Sequence, residues 1–258
     1  MSGILPPSLP QSQPQPQPIP PIYFLSFATS NYARTLERIR QEAENMGIFT
    51  QVICANESSI ESEFWEKHKD FISKNRNGHG CWIWKPKMVQ NILRTLPDGA
   101  ILFYCDAGCT LFKEGLAKFR RYIELTLRSK HDNLSFQMNF PEYQFTRRSI
   151  LDTFQFPDVE SGQLVGGIFF LKKSEFSSML VDMWLENAEK YDLIGDLSRD
   201  SGEAADELPG FIANRNDQSI FSVIRKKYGT TAIRDETYFG PHYENFKQFP
   251  IHATRLKY

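Results

Sequence analysis

An α/β fold, with helices packed on a central sheet, is predicted by two features of the sequence. Three continuous apolar runs, IYFLSFA (22–28), AILFYC (100–105) and LVGGIFFL (164–171), are too short for helices and suit buried strands. Around them apolar residues recur at helical spacing, so strand and helix alternate along the chain. With 258 residues, 41% hydrophobic and 14% aromatic, the chain can bury a sizeable core, which excludes disorder throughout.

From 6 to 21 the sequence is almost all Pro, Gln and Ser and offers no apolar face. That composition predicts an extended or disordered spacer over 1–21, ahead of one folded domain over 22–258. After the first strand, Leu36, Ile39, Ala43 and Met46 mark a helix over 32–46 that Gly47 stops. A short strand (51–54) precedes a helix over 61–73 with Phe64, His68, Phe71 and Ile72 on one face, where His68 reads as a core-edge histidine. NRNGHG (75–80) is a loop by composition, and Pro86 fits the first turn of a helix carrying Met88, Val89, Ile92, Leu93 and Leu96.

A Pro-Asp-Gly turn (97–99) leads into the central strand 100–105, which Asp106 ends. The stretch to about 156 reads as less regular, with one helix near 115–127 and a basic-aromatic loop, YQFTRR. After strand 164–171, Phe176, Met179, Leu180, Met183, Trp184 and Ala188 mark an amphipathic helix capped by Ser174. Residues 192–210 read as a surface insertion, 217–228 as a helix with Lys226 and Lys227 near its C-terminus, and 231–233 as a last strand.

Composition also narrows the partners. Lys plus Arg total 30 and Asp plus Glu 31, so no overall nucleic-acid-binding surface is expected. Cys54, Cys81, Cys105 and Cys109 form no C-x-x-C pair, which argues against a zinc site or a disulfide framework. No run approaches the ~18 apolar residues of a membrane span. The N-terminus also lacks the pattern of a signal peptide, so a cytoplasmic location is expected.

Four features carry chemistry. Asp106 ends a buried strand, where ligands collect in open α/β sheets; it meets ribose hydroxyls or a divalent cation, or else caps the following turn. Gly166 and Gly167 lie inside an apolar strand, where glycine marks close approach of a ligand or of a helix. Asp217 and Gln218 open a helix, where they either bond sugar hydroxyls or cap. If WIWKP is extended, Trp82 and Trp84 share a face for stacking or core anchorage, and Lys85 stands at a helix entrance able to offset diphosphate charge.

In order, FLSFATS, WIWKP, ILFYCDAG, LVGGIFFLKKSEF and NDQSIFSVI resemble the nucleotide-diphospho-sugar transferases of GT-A fold. The likeness covers about 22–258. It is similar to viral and bacterial polysaccharide glycosyltransferases and, more distantly, to the glycogenin and lipopolysaccharide galactosyltransferase group. The resemblance implies a single Rossmann-like domain with a mixed, mostly parallel sheet. It implies transfer of a hexose-type sugar from a nucleotide-sugar donor, a UDP-sugar foremost, to a glycan or glycoconjugate acceptor.

Carried over by position, Phe27 and Thr29 floor the nucleotide pocket, which Trp82 and Lys85 adjoin, and Asp106 is the first acid of a D-x-D motif. Gly166 and Gly167 lie beside the donor sugar, Asp217 and Gln218 hold the transferred sugar, and His252 stands where related enzymes have a metal ligand. The second acid is Gly108 here, so a Mn2+ or Mg2+ ion would be held by Asp106, His252 and the diphosphate, or a cation such as Lys85 would act without metal. In an inverting enzyme Asp217 is the general base; in a retaining one it positions the sugar, with Gln218 near the reacting face, and the Asp-Gln pair leans towards retention. The alternative is a binding protein on the same fold that holds the nucleotide-sugar or glycan without turnover.

Overall fold

The structure is a computed structural model and describes residues 19–258. Most of the expected Pro/Gln-rich spacer, residues 1–18, lies outside the described residues. Along the chain come β1 (Ile22–Phe27), α1 (Ala33–Met46), β2 (Gln51–Ala55), α2 (Ser62–Lys74), a one-turn helix α3 (Gly78–Cys81), α4 (Trp84–Thr95) and β3 (Ile101–Cys105). Then follow β4 (Thr110–Leu111), α5 (Leu116–Arg128), β5 (Asn133–Pro141), α6 (Glu142–Phe145), α7 (Arg148–Thr153) and β6 (Gly162–Lys172). The remainder is α8 (Glu175–Ala188), α9 (Tyr191–Ile194), α10 (Asn216–Tyr228), β7 (Thr231–Arg234) and β8 (Ile251–His252).

Six strands form the main sheet in the order β2-β1-β3-β6-β5-β7, and β4 pairs with β8 in a small ribbon. The pairs β1–β2, β1–β3 and β5–β7 are parallel, whereas β6 runs against both β3 and β5. The sheet is thus mixed and mostly parallel, with β6 the one reversed strand. Because side chains alternate across a strand, Phe24, Phe103, Ile168 and Phe170 join one core with Ile39 and Phe119 of α1 and α5. Leu25, Leu102, Phe169 and Leu171 join the other with α4, α8 and α10. Burial on both faces is why these strands read as unbroken apolar runs.

Helix ends follow the sequence closely. Gly47 closes α1 in the left-handed region at φ 64°, and Ser174 caps α8 by accepting from the Ser177 amide. Trp184 of α8 stacks on Phe221 of α10 with ring centroids 4.0 Å apart, and its Nε1 donates to the Asp217 carbonyl at 3.1 Å. Trp184→Ala is therefore expected to cost about 3–5 kcal/mol, read by chemical denaturation. A loss under about 1 kcal/mol would show that this contact does not anchor the helix pair.

Three expectations need correction. WIWKP is not extended: Trp82 is left-handed at φ 60°, Ile83 is helical and Trp84 begins α4, so the two indoles do not share a strand face. The stretch from 133 is not irregular, because 133–141 is β5, inside the sheet between β6 and β7. Nor is 192–210 wholly a surface insertion, since Leu193, Ile194 and Leu197 are buried.

Candidate active site

The site gathers where β3 ends. Asp106 follows the last residue of β3, and its amide donates to the Gly167 carbonyl at 2.8 Å, which ties it to the reversed strand β6. Beyond it, the 107–109 turn is gripped from α1: Arg38 Nη2 donates to the Ala107 and Cys109 carbonyls, both at 2.7 Å. Tyr104, two residues back on the same face of the strand, donates its hydroxyl to Asp106 Oδ1 at 2.7 Å. The carboxylate is held in place while remaining 38% exposed.

Lys85 enters from the opposite layer. It opens α4 just after five successive residues at positive φ, Gly78 (59°), His79 (53°), Gly80 (85°), Cys81 (55°) and Trp82 (60°), a left-handed turn. Such a turn costs about 1–2 kcal/mol at each non-glycine position. Backbone bonds from Cys81 N to Asn77 O (2.8 Å) and Trp82 N to Gly78 O (3.1 Å) close it, and Trp84 Nε1 donates to Gly78 O at 3.0 Å. Trp84 in turn stacks on Phe27 with centroids 3.9 Å apart. The Lys85 ammonium, 3% exposed, then lies 3.1 Å from Asp217 Oδ2 and 3.4 Å from Asp106 Oδ1.

Asp217 comes from the first turn of α10, which has no side-chain cap, so its carboxylate is directed at Lys85 and not at the helix end. Asn216 fixes that turn by donating its side-chain amide to the Ile194 carbonyl at 2.8 Å and to Asp196 at 2.9 Å, which ties it to the segment that carries buried Leu193, Ile194 and Leu197. Burial pushes the Asp217 pKa up to about 6; Lys85 draws it back and Asp106 adds to the rise. For Lys85, burial works to strip the proton, but the two carboxylates outweigh it and hold the pKa above the usual lysine value.

The glycines have an internal cause. A Cβ on Gly167 would lie 2.3 Å from Asp106 Oδ2, and one on Gly166 would lie 2.6 Å from Gln218 Cβ and 3.0 Å from its Cα. The space at these positions is filled by Asp106 and by the start of α10, so of the two readings of the glycines the close approach of a helix holds for Gly166, and at Gly167 the neighbour is the strand-end carboxylate. Gln218 is engaged as well: its Oε1 accepts from the Gly166 amide at 2.9 Å and its Nε2 donates to Gln163 Oε1 at 2.6 Å. The second amide hydrogen of Gln218 has no partner among the described residues.

Lys85, Asp106, Gly166, Gly167, Asp217 and Gln218 are thus brought together from four separate segments. Thr29 instead lines a cavity of about 260 Å3 with Glu37, Arg40, Cys54 and Asn56. Phe27 is buried in its stack on Trp84, and the Trp82 ring centroid lies 5.9 Å from Lys85 Nζ. The Gly108 carbonyl accepts from Leu256 N and Thr254 Oγ1, each at 2.9 Å, so the segment after β8 crosses this turn. Tyr104 and Gln163 are the participants the sequence reading missed. Tyr104 was legible, because residues two apart on a strand share a face.

The donor set does not fit a divalent ion held by the protein. Among the described residues, no three side chains of His, Cys, Asp and Glu gather as a cage. Asp106 Oδ1 is occupied by the Tyr104 hydroxyl with Lys85 alongside, and a buried ammonium repels a metal ion. His252 presents Nε2 to the carbonyls of Phe246 (3.1 Å) and Phe249 (2.9 Å), so that nitrogen carries the proton. Burial lowers the His252 pKa, and its buried Nδ1 has no partner among the described residues.

The fold has counterparts among solved structures. The chain superimposes on a glycosyltransferase involved in the glycosylation of the major capsid of PBCV-1 with a TM-score of 0.50 at 10% identity, covering 90% of this chain and 92% of that one. That likeness shows the fold, a Rossmann-like domain of GT-A type. Mouse xyloside xylosyltransferase 1 in its apo form has a TM-score of 0.45 at 12% identity, over 91% of this chain and 97% of that one. The galactosyltransferase LgtC, in complex with donor and acceptor sugar analogues, has a TM-score of 0.47 at 12% identity, over 90% and 85%. No protein-family model and no curated sequence matches the chain. Among the described residues no helix is long and apolar enough to cross a membrane.

Proposed function

We propose that the chain is a glycosyltransferase that moves a hexose-type sugar from a nucleotide-diphosphate donor, a UDP-sugar foremost, to a hydroxyl of a glycan or glycoconjugate acceptor. The observation that carries this reading is the Lys85, Asp106, Asp217 cluster beyond the C-terminal end of β3, the end at which open α/β sheets bind ligands. The base and ribose are assigned to the cavity beside Thr29 and the donor sugar to the cleft between Asp106 and Gln218.

Transfer breaks the bond between the anomeric carbon and the diphosphate oxygen while positive charge grows on the carbon. Asp217, with a pKa of about 6, is ionised at neutral pH and can hold sugar hydroxyls or face the anomeric centre. Lys85 keeps its proton and offsets one of the two carboxylate charges, which reduces the repulsion an anionic donor meets there. Asp106, partly exposed and fixed by Tyr104, is the group that meets the donor's hydroxyls.

A panel of nucleotide-sugars in a thermal-shift assay, with donor hydrolysis followed in parallel, tests this reading, because a ligand of the folded state raises Tm. One donor should raise Tm and be turned over, and Asp106→Asn should weaken both effects with the fold kept. A donor bound but never hydrolysed or transferred would mark a binding protein instead, and unchanged donor affinity in Asp106→Asn would remove that residue from the site.

A further inference from the structure

Two arginines lie beside Gln218 and beside the turn at Gly108, and among the described residues neither has an acidic partner. Arg215, immediately before α10, lies with its Cζ 3.7 Å from the Phe145 ring centroid and 5.0 Å from that of Phe140. Its Nη1 donates weakly to Gln163 Oε1 at 3.4 Å, the oxygen that also receives Gln218 Nε2, and touches Met138 Sδ at 3.6 Å. Arg255, exposed on the segment after β8, is held at φ 57°. Its Cα would lie 3.4 Å from a Cβ placed on Gly108. Among the described residues neither arginine takes part in an ion pair, whereas Arg38 and Arg40 of α1 both do. Burial lowers the Arg215 pKa to about 10, and repulsion from Arg255 adds to the fall while Glu142 opposes it.

The arrangement inverts the charge expected at this turn. The position from which a second acid of D-x-D would extend is glycine, and the chain segment crossing it brings a guanidinium. Arg215 reaches the Gln163–Gln218 pair that packs on Gly166, and Arg255 crosses the turn after Asp106, which packs on Gly167; cations flanking those contacts gain from an anion bound there.

We propose that Arg215 and Arg255 form the subsite that takes the donor's diphosphate, so that this chain binds a nucleoside diphosphate through guanidinium forks and needs no divalent ion to do so. The inference rests on the glycosyl-transfer reading above. Guanidinium groups suit the task because they match phosphate oxygens with paired, charge-assisted hydrogen bonds.

The test is calorimetric titration of the full chain in EDTA with UDP, GDP, CDP and ADP, with the corresponding nucleosides as controls. One diphosphate should bind without metal. Arg255→Ala, an exposed position whose loss spares the core, should weaken it about tenfold or more, and Arg215→Lys should also weaken it, with the nucleoside unaffected in both. Diphosphate binding that appears only with Mn2+, or wild-type affinity in both variants, overturns the subsite and leaves the glycosyl-transfer reading standing. If no diphosphate and no nucleotide-sugar binds under any condition, that reading fails and the subsite with it.

Discussion

Replacing Asp217 by asparagine is expected to cut sugar transfer about a hundredfold or more, the scale of loss when a reacting group is misplaced. Stability should stay close to that of the wild type. The substitution keeps the shape of a side chain packed beside Lys85 at 3.1 Å and removes only its charge. Folding raises the Asp217 pKa from 3.8 to about 6, so the folded chain holds this proton more tightly than the unfolded chain. Ionisation therefore costs stability as the pH climbs through that window, and an uncharged amide escapes the cost. Activity runs the other way: transfer by the wild type should rise as the pH passes about 6 and the carboxylate ionises, and the variant should lack that rise. Turnover against pH, with melting curves for both proteins, is the measurement. A variant with normal turnover, or with the same rise near pH 6, would place the essential acid elsewhere.

The second large effect is expected from a single methyl group. Gly167→Ala puts a Cβ 2.3 Å from Asp106 Oδ2 and 2.9 Å from its Cγ. The carboxylate is the end of a short side chain and has to swing away, losing the Tyr104 hydroxyl at 2.7 Å and Lys85 at 3.4 Å. Donor affinity should fall about tenfold or more, as when a charge-assisted contact is lost, with little change in Tm. Gly166→Ala meets the backbone of Gln218 at 3.0 Å and cannot be relieved by a side-chain rotation. It should lower stability, by the roughly 1–3 kcal/mol of overpacking, before it lowers binding. Wild-type donor binding in Gly167→Ala would mean that Asp106 does not touch the donor.

The contrast between these neighbouring glycines shows what was legible in the sequence. Two glycines inside LVGGIFFL announced a close approach, and Asp106 after AILFYC announced a strand-end carboxylate; both signals are local. What approaches the glycines is set by contacts 52 residues or more away, such as Gln218 on Gly166, and no local pattern encodes that partner. β1, β3 and β6 were readable because burial on both faces leaves a continuous apolar run. In β5 the alternation of Leu134, Phe136, Met138 and Phe140 was present, but buried Asn133 and Ser135 disguised it. Those two polar residues are matched by Arg225 from the last turn of α10 and by Gly229 and Thr230 just beyond it. The left-handed turn before Trp82 was readable only as a loop, since His79 and Cys81 give no warning of positive φ.

The reversed direction of β6 makes this domain sensitive to changes of length. Cys105 pairs with Ile168 and the Asp106 amide reaches the Gly167 carbonyl, while on the other side of the strand Gln137 pairs with Leu164. Deleting one residue between 162 and 165 while the rest of β6 keeps its pairing with β3 would preserve the Asp106 contact but move Gln163 off the line it shares with Gln218. Deleting one between 168 and 171 would exchange the two faces of the strand, turning Phe169 towards α5 and sending the glycine pair out of step with both Asp106 and α10. Relatives of this chain should therefore vary in length freely around 202–210, where the backbone is exposed, and hardly at all within β6.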